Sequence, residues 1–139
     1  MISTDETRFG RDLALTEDPD AAIRPTITGD LPTLAGRANL KAAIRRRAVT
    51  VRGQLVHRGE YGGDLPLYIE TANSPAGRAT LGATLRRNLL RDDRLSEVKL
   101  AVASGRPSDS RASSSVTITA TLTARGDDSA EQITFIAQE

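Results

Sequence analysis

A chain of 139 residues is about one domain's length, and a fold of that size buries roughly two-thirds of the surface its unfolded chain exposes, enough for one modest core. With only Phe9, Tyr61, Tyr68 and Phe135 as aromatics the core must be aliphatic, and little is left for a base-stacking platform or a large ligand pocket. The absence of cysteine excludes disulfides and thiolate metal sites, no apolar run approaches the roughly 20 residues of a bilayer span, and 19 basic against 18 acidic residues give no strong net field for nucleic acid.

Residues 1–7 are polar and expected to be flexible, so 1–139 is read as a single domain with a loose N-terminus. Phe9 to Leu15 alternates at Leu13 and Leu15 and predicts a short strand. Residues 16–22 read as a turn around Pro19. Residues 23–29 form a candidate second strand that Pro25 restricts to an edge or a strand end. A first helix is predicted over about 34–47, with Ala35, Leu40, Ala43 and Ile44 on its apolar face. Its last turn carries Arg45, Arg46 and Arg47, which suits the negative end of the helix dipole.

Val49 to Val56 reads as an extended piece broken at Gly53. Three glycines between Gly59 and Gly63 then demand special backbone angles or a close approach by another chain. Ser74 caps and Pro75 opens a second helix running to about Leu90, with Ala79, Leu81, Leu85, Leu89 and Leu90 on its buried side. Gly82 inside it costs about 1 kcal/mol relative to alanine and suggests a close helix crossing. The last third reads as a β meander. Val98, Leu100 and Val102 alternate with smaller or polar residues. Val116, Ile118, Ala120, Leu122 and Ala124 alternate with four threonines, and Ile133 and Phe135 point inward from a third strand. The polar connection 106–115 is expected to be mobile. The fold class is therefore α+β: two helices packed on a small, mainly antiparallel sheet that ends in the meander.

Few residues invite chemistry. His57 is the one histidine, without a nucleophile motif or a second metal ligand near it. Glu60 and Asp64 flank the Tyr-Gly-Gly turn and have the composition of a glycosidase carboxylate pair, but the chain lacks aromatics to stack on sugar rings. Glu60 is expected to pair with Arg52 or Arg58, or to cap loop donors. Arg45–Arg47, Arg86-Arg87 and Arg91 fit a phosphate-binding face, solvated helix ends, or contacts to acidic patches on partner proteins.

Certain local motifs have a familiar order: Phe9-Gly10 with Asp12, Asn39-Leu40, Thr50 with Gly53, Glu60-Tyr61-Gly62, and the valine-bearing strand from Val98 to Val102. In this order the chain, over about residues 9–104, resembles the baseplate wedge family of contractile tails, historically labelled lysozyme-like. Gln54 replaces the family's glutamate after Gly53. Asp92-Asp93-Arg94 stands where the family has Glu-Pro-Arg, so acid and arginine are kept in kind while the proline is lost. The resemblance implies a structural, non-enzymatic subunit without cofactor or metal. It would serve a myophage tail, a tailocin, a type VI secretion baseplate or an extracellular contractile injection system. Its partners would be other wedge proteins, the sheath protein and possible tube or spike-hub proteins, with six copies in a ring, no nucleic acid and no membrane insertion. The chain would be made in the cytoplasm and then built into the particle. Asp92, Arg94, Glu60 and Tyr61 are the expected wedge-core contacts. The expected sheath template is the strand pair carrying Val116, Ile118, Ala120, Leu122, Ile133 and Phe135.

Overall fold

A computed structural model describes residues 4–15, 25–69, 72, 74–105, 115–127 and 129–138. The chain divides into two units, Met1–Ala43 and Ile44–Glu139. The predicted turn at 16–22, residues 23–24 and most of the connection between the first two meander strands lie outside the described residues.

In the first unit, α1 spans Thr4–Phe9, with Asp5 and Glu6 in its first turn, where negative charge favours a helix. Gly10, at φ 75°, then takes the left-handed angle that stops it, and its N–H bonds to Glu6 O at 2.8 Å. Phe9 therefore ends a helix instead of opening the predicted strand. That strand shrinks to β1, Arg11–Leu13, paired antiparallel with β2, Thr33–Ala35. Phe9 is buried, with the Arg8 and Arg37 guanidiniums 5.1 and 6.0 Å from its ring centre. Asn39 of α2 (Gly36–Val49) donates to Phe9 O at 2.9 Å. Residues 25–30, assigned in part to a second strand, form a turn closed by Thr26 N donating to Asp30 O.

The second unit opens with the last part of α2, where Ile44 and Ala48 are buried. The helix continues two residues past its predicted end, because the Thr50 hydroxyl and amide both bond to Arg46 O. The expected extended piece at 49–56 is thus half helix end and half turns. A short helix, α3 (Leu65–Tyr68), leads to α4 (Pro75–Leu89). Ser74 caps α4 as predicted, accepting from Gly77 N at 2.9 Å.

Leu81, Leu85, Leu89 and Asn88 of α4 are fully buried and Thr84 nearly so, whereas Ala79 is exposed and Leu90 half-buried, against expectation. Helical spacing fixed the stripe but not its width. Gly82 meets no second helix: a Cβ there would sit 3.8 Å from Val102 of the sheet. The sheet is β3 (Leu95–Gly105), β4 (Ser115–Ala124) and β5 (Ala130–Gln138), antiparallel in the order β3-β4-β5. Its inner face, from Val98 through Ile118, Ala120, Leu122, Ile133 and Phe135, is the aliphatic core the composition called for. The architecture is mixed α+β with a C-terminal meander.

Candidate partner-binding interface

The glycine-rich turn sits on the end of α2. A Cβ on Gly62 would lie 2.5 Å from Thr50 O, and one on Gly63 would lie 2.6 Å from Ala48 Cα and 2.7 Å from Ala48 O. The close approach that the glycines signalled is made by the chain's own backbone. Asp64 follows at φ 61°, the only non-glycine among the described residues with positive φ. It is 2% exposed, and its carboxylate accepts the Arg52 amide at 2.8 Å and Arg52 Nε at 2.5 Å. The Nε hydrogen bond, with the charge of Asp64, holds the Arg52 guanidinium even more firmly protonated than usual.

Glu60 pairs with neither Arg52 nor Arg58. Its partner is Arg91, at 3.1 Å, and its side chain is 87% exposed. The Tyr61 ring lies under the Arg47 guanidinium, 4.5 Å from centre to Cζ, a cation–π contact. The loop between them turns at Leu55–Arg58, where Arg58 N donates to Leu55 O, and carries His57 exposed at its tip. Among the described residues no group of three or more His, Asp and Glu side chains could hold a metal ion.

Asp92 and Arg94 meet each other. Arg94 Nε and Nη2 donate to the two Asp92 oxygens at 2.9 and 2.7 Å, and Arg94 N adds a third bond at 3.1 Å. This is a bidentate, charge-assisted pair. Burial pushes the Asp92 carboxyl up, but the Arg94 hydrogen bonds and charge, with a smaller pull from Arg47, bring it below the usual carboxylate range. Asp93, expected from the resemblance to stand in place of a proline, is at the second position of a turn closed by Leu95 N donating to Asp92 O, the position proline favours. Here Arg125 Nε holds Asp93 O at 3.0 Å instead. Asp92 is 8% exposed with both oxygens engaged, so it positions Arg94 and does not itself reach outward. Tyr61, Arg47, Asp92 and Arg94 act on one another electrostatically, which gathers three of the four expected wedge-core residues into one cluster. Glu60 stands at its exposed margin. Sequence reading singled out Arg47 and Arg91 but missed their partners, Tyr61 and Glu60; an arginine at a helix end gives no clue to which ring or acid it will meet.

Of the six residues assigned to the sheath template, the four on β4, Val116, Ile118, Ala120 and Leu122, need correcting. β4 is bonded along its length to β3 on one side and β5 on the other, so it offers no edge. All six side chains are buried in the core, but Ile133 and Phe135 belong to β5, whose outer main-chain edge pairs with no other described strand. The edges belong to β3 and β5, and they differ. On β3, Arg86 Nε donates to Val98 O at 2.9 Å and Lys99 pairs with Glu97 at 3.2 Å, so side chains and charge guard that strand. On β5 the only charge is Glu131, while Gln132, Thr134 and Ile136 are exposed, Ile136 to 68%. Among the described residues no strand pairs with its outer side.

No family model matches the sequence, and no curated protein matches it. Two solved structures are similar. A chain from Geobacter sulfurreducens, provisionally described as a tail lysozyme, aligns over 73% of this chain and 89% of its own, with a TM-score of 0.57 and 13% identity. A chain of the anti-feeding prophage baseplate, reconstructed with six-fold symmetry, aligns over 73% and 77%, with a TM-score of 0.54 and 20% identity. The α+β architecture of this chain is therefore the fold that these tail and baseplate proteins share.

Proposed function

We propose that the chain is a structural baseplate wedge subunit of a contractile, phage-tail-like particle and that β5 offers its open edge to a strand of the first sheath ring. It would act without cofactor as a single domain, in six copies, beside other wedge proteins and near tube or hub components. The Arg47–Tyr61–Asp92–Arg94 cluster would face the wedge. The observation that carries this reading is the outer edge of β5, nine residues long with Glu131 its one charge, in a sheet whose other edge is guarded. Soluble proteins rarely leave such an edge open unless another strand completes it, and the likeness to a baseplate chain supplies the kind of partner.

Removing the C-terminal strands would not test this, because β4 holds the core. The clean perturbation is Thr134→Lys with Ile136→Lys, two exposed positions on β5. Ile136 hides only about a third of its surface, so its loss costs less than about 1 kcal/mol. The doubly substituted chain should fold and enter baseplates that carry no sheath. Normally sheathed particles would sink the proposal.

A hydrolase is the second reading, since one similar chain is described as a tail lysozyme. The geometry speaks against it: Asp64 is buried on Arg52, while Glu60 is a surface ion-pair partner.

A further inference from the structure

Four arginines meet the turn at 60–64 and the corner after α4, and three have a carboxylate of their own. Arg52 pairs with Asp64, Arg91 with Glu60 and Arg94 with Asp92. Arg47 has none. Among the described residues no acceptor is bonded to its guanidinium, which lies 4.5 Å from the centre of the Tyr61 ring. Asp92 attracts it, but both Asp92 oxygens are taken by Arg94 at 2.9 and 2.7 Å.

This arrangement is costly to the free chain. Arg47 Nε is enclosed without a partner. The ring face attracts the charge but supplies no lone pair to the N–H groups, and a buried donor left unmet is destabilising. No bond inside the chain requires an arginine at this place, since methionine would reach over Tyr61 with neither charge nor donor. Arg47 as a whole is only half-buried, so part of it remains open to a group from outside. That group must bring an acceptor and a negative charge. A carboxylate does both, with two oxygens matched to the guanidinium fork, as Asp92 matches Arg94. A nucleic-acid strand fits poorly: it needs several free cations along its phosphates, and the other three here are already neutralised.

We infer, resting on the reading that this cluster faces the wedge, that Arg47 receives the carboxylate of an aspartate or glutamate from another wedge protein. Tyr61 holds the guanidinium in place before that acid arrives, which lowers the ordering cost of the contact. The site is independent of the β5 edge.

The test has two arms. In the isolated chain, Arg47→Met should leave the urea midpoint at or above the wild-type value, because it deletes an unmet donor and keeps a contact with Tyr61. Arg94→Met, which strips Asp92 of its partner, should lower it. A lowered midpoint in Arg47→Met would make Arg47 a support of the fold and overturn the inference. For docking, a photo-crosslinking amino acid replaces Arg58, an exposed residue whose carbonyl accepts Tyr61 N at 2.9 Å. The full chain is expressed in its producing strain, the assembled particles are irradiated, and the adduct peptide is sequenced. An adduct is expected on a different baseplate protein, in a peptide containing aspartate or glutamate. Its yield should fall at least about tenfold in Arg47→Met. It should fall likewise in Arg47→Glu and recover when the partner's acid is changed to arginine. No adduct from particles that contain the chain, an adduct on a second copy, on nucleic acid or on a peptide without acids, or a yield indifferent to Arg47 would overturn the inference. An acid-free or indifferent adduct on a baseplate protein would remove the carboxylate and leave the wedge reading standing. A chain absent from every particle would end that reading and the inference with it.

Discussion

Asp92→Asn isolates the bidentate Asp92–Arg94 pair. In the wild-type chain the carboxylate accepts three bonds from Arg94, at 3.1, 2.9 and 2.7 Å, two of them from the guanidinium. Asparagine keeps one acceptor in the same place but loses the charge and turns an amide donor toward the arginine. A hydrogen bond to a charged group contributes about 1.5–3 kcal/mol. Arg94 is about a third exposed and can turn to water, so a net loss of about 1–2 kcal/mol is expected, or roughly 3–10 °C for a chain this size.

The pH dependence gives the sharper check. The folded Asp92 carboxyl titrates below its ordinary value, so its contribution is fully present above the unfolded value near pH 4 and fades as pH falls through the folded one. Denaturant midpoints measured between pH 7 and pH 3 should show the gap between wild type and variant wide at neutral pH and narrowing below about pH 4. A gap of the same size at both ends would mean that the charge of Asp92 contributes nothing, and the positioning role of the pair would fail with it.

Gly63→Ala should cost more than 2 kcal/mol, about the upper range for overpacking, because every atom its Cβ would strike is backbone of the helix end and none can swing aside; a urea midpoint within error of wild type would contradict the packing. Glu60→Gln removes only an exposed partner of Arg91 and should leave stability unchanged and any peptidoglycan release by the purified chain at background before and after. Turnover by wild type that the substitution abolishes would establish the hydrolase reading instead.

Where a local pattern has a local cause, the sequence was readable. Ser74-Pro75 carries its own cap and fixed φ, and the threonine alternation of β4 needs only one buried face to be decoded. Gly10 was misread because a strand-like alternation follows it; the left-handed angle that ends α1 is visible only once Thr4–Phe9 is known to be helical. Ion-pair partners were the least legible. Glu60 has Arg52 and Arg58 close in sequence but finds Arg91, 31 residues on, because α4 and the turn after it bring that guanidinium to the loop. Strand composition likewise marked the inner face of the meander without saying which strand closes the sheet. Two successive hairpins place the middle strand inside, so the most regular segment was the one least able to meet a partner.

Asp64 bears on the choice between docking and catalysis. A hydrolytic carboxylate must reach a bond in a cleft, yet this one is enclosed, sits at a left-handed φ, and has one oxygen on a backbone amide and the other on a guanidinium of the same loop. Burying a charge in this way is costly unless it is fully paired, and the pairing fixes Arg52 and the entry to the Gly62-Gly63 turn. Tyr61 is the residue just before that turn, so its ring is set over Arg47 by a backbone with little freedom to shift. A preformed aromatic–arginine surface loses little entropy when a partner arrives. A buried carboxylate that shapes a surface fits the proposed docking role, whereas a hydrolase using Asp64 would need that carboxylate at the mouth of a cleft.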